Sequence, residues 1–334
     1  MCEFITGGGL IAQDLPISLA KEGTLMRDAL LRDLEALNQF DITIMLDERL
    51  TLSHLTRKSI LVKAGDDFNE VFKIALKKVD YVWIIAPETH GILLEINKIA
   101  YESNALLLGC GFHATLTGTS KSLSFHVMQA AKIYTLPMLG GEDLMQQKYF
   151  DVMSQLDIAK WVAKPIDGAG CEGIRIFENL HDLRIWLKKD NQYQHYFAQP
   201  YQQGIAGSLS MLCRDGKGWL LSCNQQHIAC DDTTFKLIGL TVNGLQQYWK
   251  RFETIAKKIA QMLPDAAGYI GVDVIVDTEN DKIFVIEINP RLTTSYVGLH
   301  EAIGCNPAKI IIDCLLNENF NMPPIARNQV QVYV

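Results

Sequence analysis

Two apolar runs, "GYIGVDVIV" and "KIFVIEIN", are joined by the polar turn "DTENDK" near the end of this chain. Runs this short with so tight a connector pair as antiparallel strands. Each nevertheless carries a carboxylate: Asp273 in the middle of the first and Glu287 near the end of the second. Side chains on a strand alternate faces, so Glu287 and Asn289 point one way, and Phe284, Ile286 and Ile288 are expected to point into the core. If the turn pairs the two strands, Asp273 comes beside Glu287 and Asn289. Burying Asp273 alone would cost several kcal/mol, so it needs a partner. Three oxygen donors on two rigid strands suit a hard cation, one or two Mg²⁺. Pro290 then ends the ladder, and Arg291 follows about one residue's rise beyond, close enough to share a phosphate with a metal. The structural alternatives are a charged strand end facing water and a pairing of Asp273 with Arg291 alone.

The rest of the chain is long enough for two or three domains at roughly 150 residues each. Hydrophobic residues make up 48% of the 334, so a sizeable core is available. A net charge of −7 without a basic stripe argues against nucleic acid as a partner. No apolar run reaches the ~18 residues a membrane span requires. The start, "MCEFITGGG", lacks the charged and apolar regions of a signal peptide, and a cytoplasmic location is expected. Eight cysteines, none in a C-x-x-C pair, read as reduced core thiols. Cys223, His227 and Cys230 lie near Asp231, but their spacing fits no common structural zinc site.

The first third alternates strand and helix, which implies a parallel sheet with helices on both faces. Ligands of such sheets bind at the C-terminal strand ends, here Gly7 to Gly9, Pro87-Glu88 and Gly109 to Gly111. A different pattern follows from about residue 114: a helix, a strand hairpin, another helix, several strands, and a long helix before the carboxylate-bearing pair.

Three further clusters carry chemistry. In "WVAKPIDGAGCEGIRIF", Lys164 ends a strand, and Gly168, Gly170 and Gly173 space the following loop. Glycines let backbone N–H groups approach phosphate oxygens, and the lysine adds a point charge. The loop lacks G-K-[ST] and leads into a strand, so it is neither a P-loop nor a dinucleotide fingerprint; an ordinary hairpin turn is the alternative. In "YFAQPYQQG", a strand ends at Gln199-Pro200-Tyr201-Gln202. A segment leaving its sheet there exposes one C=O and one N–H, which an adenine edge can pair with. Lys121 opens a helix, where a cation is misplaced unless an anion sits nearby or the lysine is simply solvated.

The order of these clusters resembles the ATP-grasp superfamily over about residues 115 to 305. The resemblance implies a pre-ATP-grasp α/β domain over 1–113, a lid subdomain over 114–200 and a C-terminal subdomain with the metal site over 201–334. It implies that Lys121 and Lys164 bind ATP phosphates under the 168–173 loop, and that the hinge at 199–202 takes adenine. Asp273, Glu287 and Asn289 would hold Mg²⁺, or Mn²⁺ in its place, and Arg291 would stabilise the transferring phosphoryl group. Where many members carry a ribose-binding glutamate after the hinge, this chain has Gln203, Ala206 and Ser208, which leaves Gln203, Ser208 or water. The stretches "EFITGGG", "IIAPETHGILLEI", "QPYQQGIAGSLSML" and "EINPRLTTSYVGL" are similar to the tyramine–glutamate ligases of methanofuran biosynthesis. That similarity implies a small-molecule carboxylate and amine as partners, joined at the expense of ATP, and a homodimer is common in the superfamily. Glu88 is a candidate for gripping the amine, and Thr293, Thr294 and Ser295 for orienting the carboxylate; for these residues the alternatives are a solvated helix-start carboxylate and a plain polar turn. The alternatives are a kinase-like phosphotransferase and a non-catalytic ATP sensor.

Overall fold

The structure, a computed structural model, describes residues 1–51, 58–168, 173–230 and 235–334, without the side chain of Cys230. Gly170 of the expected phosphate loop and Asp231 lie outside the described residues.

The N-terminal part runs β1 (Cys2–Glu3), α1 (Ile17–Leu37), β2 (Thr43–Asp47), β3 (Lys58–Val62), α2 (Phe68–Leu76), β4 (Tyr81–Val82), β5 (Ile84–Ile85), α3 (Ile92–Tyr101) and β6 (Leu106–Leu107). The pairs β1–β5, β2–β3 and β4–β6 are all parallel. Backbone bonds from Asp47 N to Thr6 O (2.8 Å) and from Met45 N to Met1 O (3.3 Å) join β2 to the segment around β1. Apolar strands of this kind are buried on both faces by their crossover helices. Phe4, Met45, Val62, Phe72, Leu93 and Ile96 form that core. Helix α1 ends at Asn38, which takes the left-handed conformation (φ 52°) that stops helices.

Helices α4 (Phe112–Thr119) and α5 (Lys121–Ala130) come next, with Ser120 capping α5 by accepting from Leu123 N. A small antiparallel sheet follows, in the order β7–β10–β8–β9: β7 (Leu139–Gly140), β8 (Trp161–Pro165), β9 (Arg175–Phe177) and β10 (Tyr196–Pro200). It packs with α6 (Gly141–Met145), α7 (Gln147–Met153) and α8 (Leu180–Lys188) around Leu144, Phe150, Trp161 and Leu183. The expected boundary at residue 114 therefore divides the chain differently from the packing. Ala114, Met128 and Ile133 share a core with Phe252 and Ile288 of the C-terminal part, so α4 and α5 lie on the large sheet, and the small sheet begins at Leu139.

That large sheet is antiparallel, in the order β15–β14–β11–β12–β13–β16. Its strands are β11 (Ile205–Arg214), β12 (Lys217–Cys230), β13 (Phe235–Val242), β14 (Gly268–Asp277), β15 (Lys282–Asn289) and β16 (Val330–Tyr333). Helix α9 (Trp249–Met262) covers one face through Phe252, Ala256 and Ile259. Helices α10 (Leu299–Ile303) and α11 (Pro307–Leu316) cover the other, together with α1. Asp33 of α1, fully buried, is hydrogen-bonded to Tyr296 Oη (2.9 Å) and His300 Nδ1 (2.6 Å), which fixes the N-terminal part onto this face.

One local irregularity corrects the expected facing of β15. Asp273 pairs with Glu287 but Val274 pairs with Val285, so Ile286 is an extra, bulged residue. Ile283, Val285 and Ile288 enter the core, whereas Phe284 and Ile286 do not. Strict alternation would have put Glu287 on the same face as Val285. The bulge turns Glu287 outward, a use of bulges that recurs beside functional sites.

Candidate active site

The register of the large sheet draws one polar row across four strands. Asn224 of β12 pairs with Ser208 of β11, Ser208 with Asp273 of β14, and Asp273 with Glu287 of β15. Asn289 lies two pairs further along, on the same face, opposite Gly271. Asp273 accepts from Gln226 Nε2 (2.8 Å) and from Asn289 Nδ2 (3.0 Å). Burial, and then the facing Glu287, push its carboxyl up to about 6, against the pull of those two amides and of Arg291. Since Asn289 spends its amide N–H on Asp273, its carbonyl oxygen remains to face a cation. Among the described residues no group of three or more His, Cys, Asp or Glu could hold a metal, so any such site here mixes two carboxylates with an amide. The chemistry of this donor set fits a hard divalent cation, because two crowded carboxylates lack enough positive charge of their own.

Two side-chain cations approach the row. Lys121 Nζ donates to Glu287 Oε1 (2.8 Å) and to the backbone oxygen of Gly168 (2.9 Å). Helix α4 makes that approach possible: a Cβ on Gly118 would stand 2.4 Å from Pro290 Cδ, so only glycine lets α4 pack on the Asn-Pro-Arg turn. Arg291 donates through Nε to Glu88 Oε1 (2.9 Å), through Nη2 to Glu88 Oε2 (2.6 Å) and through Nη1 to Leu292 O (3.1 Å). Burial alone would lower the guanidinium's pKa; Glu88, with Glu22 and Glu287 adding, raises it instead. Glu88 is thus occupied on both oxygens, which departs from the expectation that it waits for an amine.

The expected phosphate loop and hinge lie on the small sheet. Lys164 sits near the end of β8, opposite Phe197 of β10, and Gly173 has φ +74°. Asp167 is held by His90, through the backbone N–H (2.7 and 2.9 Å) and Nδ1 (2.8 Å). After β10, Tyr201 N donates to Lys160 O (2.9 Å), and the Gln202 N–H has no acceptor among the described residues. Gln199 is buried, Pro200 half-buried, and Tyr201 and Gln203 are exposed. Gln202 Nε2 reaches Asp277 Oδ2 (3.1 Å), tying the hinge to β14. Ser208 is buried and accepts from Asn224 Nδ2 (3.2 Å), which leaves its O–H to donate, whereas Gln203 is exposed.

Thr293, Thr294 and Ser295 are tied down as well. Thr293 Oγ1 and Ser295 Oγ share a hydroxyl network with Tyr269 Oη and Ser210 Oγ at 2.8–3.1 Å, and Thr294 donates to Glu22 of α1. Gly271 permits this closeness, since a Cβ there would stand 2.3 Å from Thr293 Cγ2. Cys223 is buried in the α9 core and His227 Nε2 meets Thr241 Oγ1 (2.8 Å), each inside the sheet. Sequence reasoning missed Gln226, Asn224, His90 and Asp167. Ser222, Asn224 and Gln226 recur at every second position of "LLSCNQQHIA", a polar row along one face of the strand, and that signal could have found two of them.

Residues 120–295 match the family model described as "ATP-grasp domain", more than half of the chain. The chain belongs to the ATP-grasp family. Residues 40–115 match a further model, "pre ATP-grasp 3 domain", which accompanies the ATP-grasp region here. The tyramine–L-glutamate ligase of Methanocaldococcus fervens is 30% identical over 67% of this chain and 62% of its own length. That of Methanocaldococcus jannaschii is 27% identical over 84% of this chain and 79% of its own. The alignment thus spans less than two thirds of the first of these relatives. Among solved structures, the biotin carboxylase–β,γ-ATP complex of Campylobacter jejuni superposes with a TM-score of 0.71 at 17% identity. It covers 91% of this chain and 72% of that one, a likeness of fold.

Proposed function

We propose that the chain is an ATP-dependent carboxylate–amine ligase that joins glutamate to tyramine or tyrosine, as in the making of a methanofuran- or methylofuran-type cofactor. The observation that carries the reading is the row Asp273–Glu287–Asn289, held together by register and by the Asn289–Asp273 bond, with Arg291 following two residues after Asn289. The two ligase relatives supply the substrate pair.

On this reading Asp273, Glu287 and Asn289 hold one or two Mg²⁺, for which Mn²⁺ can substitute. The metal, when bound, neutralises charge on the phosphate oxygens. Lys121 exchanges Glu287 for a phosphate oxygen, and Lys164 supplies a second cation from β8. Gly168 and Gly173 bound the loop that covers the phosphates, with Gly170 between them. Backbone groups at Gln199, Pro200, Tyr201 and Gln202 take the adenine edge, and Gln203 is the side chain available to the ribose. Arg291 donates its remaining N–H groups to oxygens that gain charge as the γ-phosphoryl group moves to the carboxylate. The amine then displaces phosphate from the acyl phosphate, leaving an amide, ADP and phosphate. The chain's partners are small molecules, and the setting is cytoplasmic. No helix among the described residues is long and apolar enough to cross a membrane.

The test is a panel of acids and amines incubated with MgATP and read by mass spectrometry. Glutamate with tyramine or tyrosine is expected to give the amide. A stable phosphorylated product without any amine would point to a phosphotransferase, and nucleotide binding without turnover to a sensor.

A further inference from the structure

We infer that Glu88 is a positioning residue for Arg291, and that it does not bind the incoming amine. The inference rests on the ligase reading only for the identity of the amine; the positioning itself concerns any phosphoryl transfer at this site.

The two side chains are 203 residues apart in sequence, yet they meet in a two-point fork. Their side chains are only 14% and 7% exposed. A fork of two parallel N–H···O bonds fixes the plane of the guanidinium as well as its place. The loop that supplies Glu88 is itself fixed. Gly91 N donates to Glu88 O (3.1 Å) and Leu93 N to Pro87 O (3.0 Å). His90 adopts a left-handed conformation (φ 54°) that is uncommon for a non-glycine residue, and its N–H and ring anchor on Asp167 of the β8–β9 hairpin. One short loop therefore holds the arginine on one side and the hairpin on the other.

A guanidinium has five N–H groups. Glu88 takes two and Leu292 O a third, which leaves two for a substrate oxygen. Because Glu88 neutralises Arg291, the pair offers directed hydrogen bonds more than net charge. Losing Glu88 would leave the arginine more electropositive but unaimed. Binding of anionic nucleotide should then hold or tighten while the chemical step slows. A residue that gripped the amine would behave in the opposite way.

The experiment uses the full chain and follows ADP and amide separately. In Glu88→Gln, kcat should fall about 10–100-fold, the usual cost of removing a partner that orients a working group, with KM for ATP and amine within about twofold. Arg291→Ala should be partly rescued by free guanidinium, by about tenfold or more, when Glu88 is present. The rescue should vanish in the double variant Arg291→Ala/Glu88→Gln, because nothing then holds the guanidinium. Glu88→Asp, which keeps the charge on a shorter arm, should fall between wild type and Glu88→Gln and guards against a fold defect in the latter. A selective tenfold rise in amine KM in Glu88→Gln, with kcat kept, would overturn the proposal. So would guanidinium rescue that is indifferent to Glu88. If ADP formation shows the rescue pattern but no amide ever forms, the positioning stands and the ligase reading falls.

Discussion

Two ion pairs flank the same strand end, and they are built differently. Arg291–Glu88 is a bidentate pair whose members are 14% and 7% exposed. Lys121–Glu287 is a single contact, 20% and 21% exposed, and its lysine also bonds a backbone oxygen. Buried charges that are forked together persist, since separating them leaves each desolvated without compensation. A single-point pair that keeps some contact with solvent is exchanged more readily than a buried fork. The contrast suggests a division of labour. The arginine pair is a fixture, and the lysine pair is a placeholder in which an ammonium occupies Glu287 until a metal takes its place there and the ammonium moves to a phosphate oxygen.

The largest effect should come from breaking the placeholder at its acidic end. Glu287→Gln keeps the shape and removes one charge from the metal site, so turnover at saturating Mg²⁺ should drop about 100-fold or more while the fold survives. Near-normal activity of the purified variant would show that Glu287 is not a metal ligand. Next is the fixture. Arg291→Ala strands a buried Glu88, and calorimetric unfolding should show a loss of about 3 kcal/mol or more, together with slow turnover. Lys121→Ala should differ in kind: under about 1 kcal/mol of stability, but about tenfold weaker MgATP, some 1.4 kcal/mol. Adenosine binding should stay unchanged, because the lysine acts on phosphates. Equal losses for adenosine and ATP in titration calorimetry would move Lys121 away from the phosphates. If the two variants destabilised the protein equally, the contrast between the pairs would be gone.

The smallest expected effect tests the hydroxyl network beside them. Gly271→Ala would force its Cβ onto Thr293 and should cost about 1–3 kcal/mol by thermal unfolding, with Thr293 displaced. A neutral result would mean that the 293–295 turn yields easily, and that its hydroxyls are not held in place by the sheet.

The same contrast explains what could be read from the sequence. Asp273 and Glu287 are 14 residues apart and joined by a tight turn, so their pairing followed from local pattern, and Asn289 and Arg291 came with it. The parallel N-terminal sheet followed from the strand–helix alternation for the same reason. The bulge at Ile286 was not legible. The side chain period of two is read off composition, and nothing in "IFVIEIN" distinguishes a regular strand from one with an extra residue. The fork between Arg291 and Glu88 spans 203 residues and the Lys121–Glu287 contact 166, so both depend on tertiary packing: the first on how the N-terminal strands dock, the second on how α5 lies on the large sheet. Glu88 could be seen at a strand end, where ligands of α/β sheets gather, but its partner could not. Nor could the packing of α4 and α5 on the large sheet, because an apolar helix face does not name the sheet it will cover.

The central claim is that this strand end serves transfer of a phosphoryl group to a carboxylate, with an amine following. It is tested most directly by ¹⁸O-labelled glutamate, turned over with MgATP and tyramine or tyrosine. The account expects one ¹⁸O to pass from the carboxylate into the released phosphate, with ADP and the amide formed in equal amounts. Label that stays wholly in the amide and unreacted acid, or AMP and pyrophosphate among the products, would contradict it.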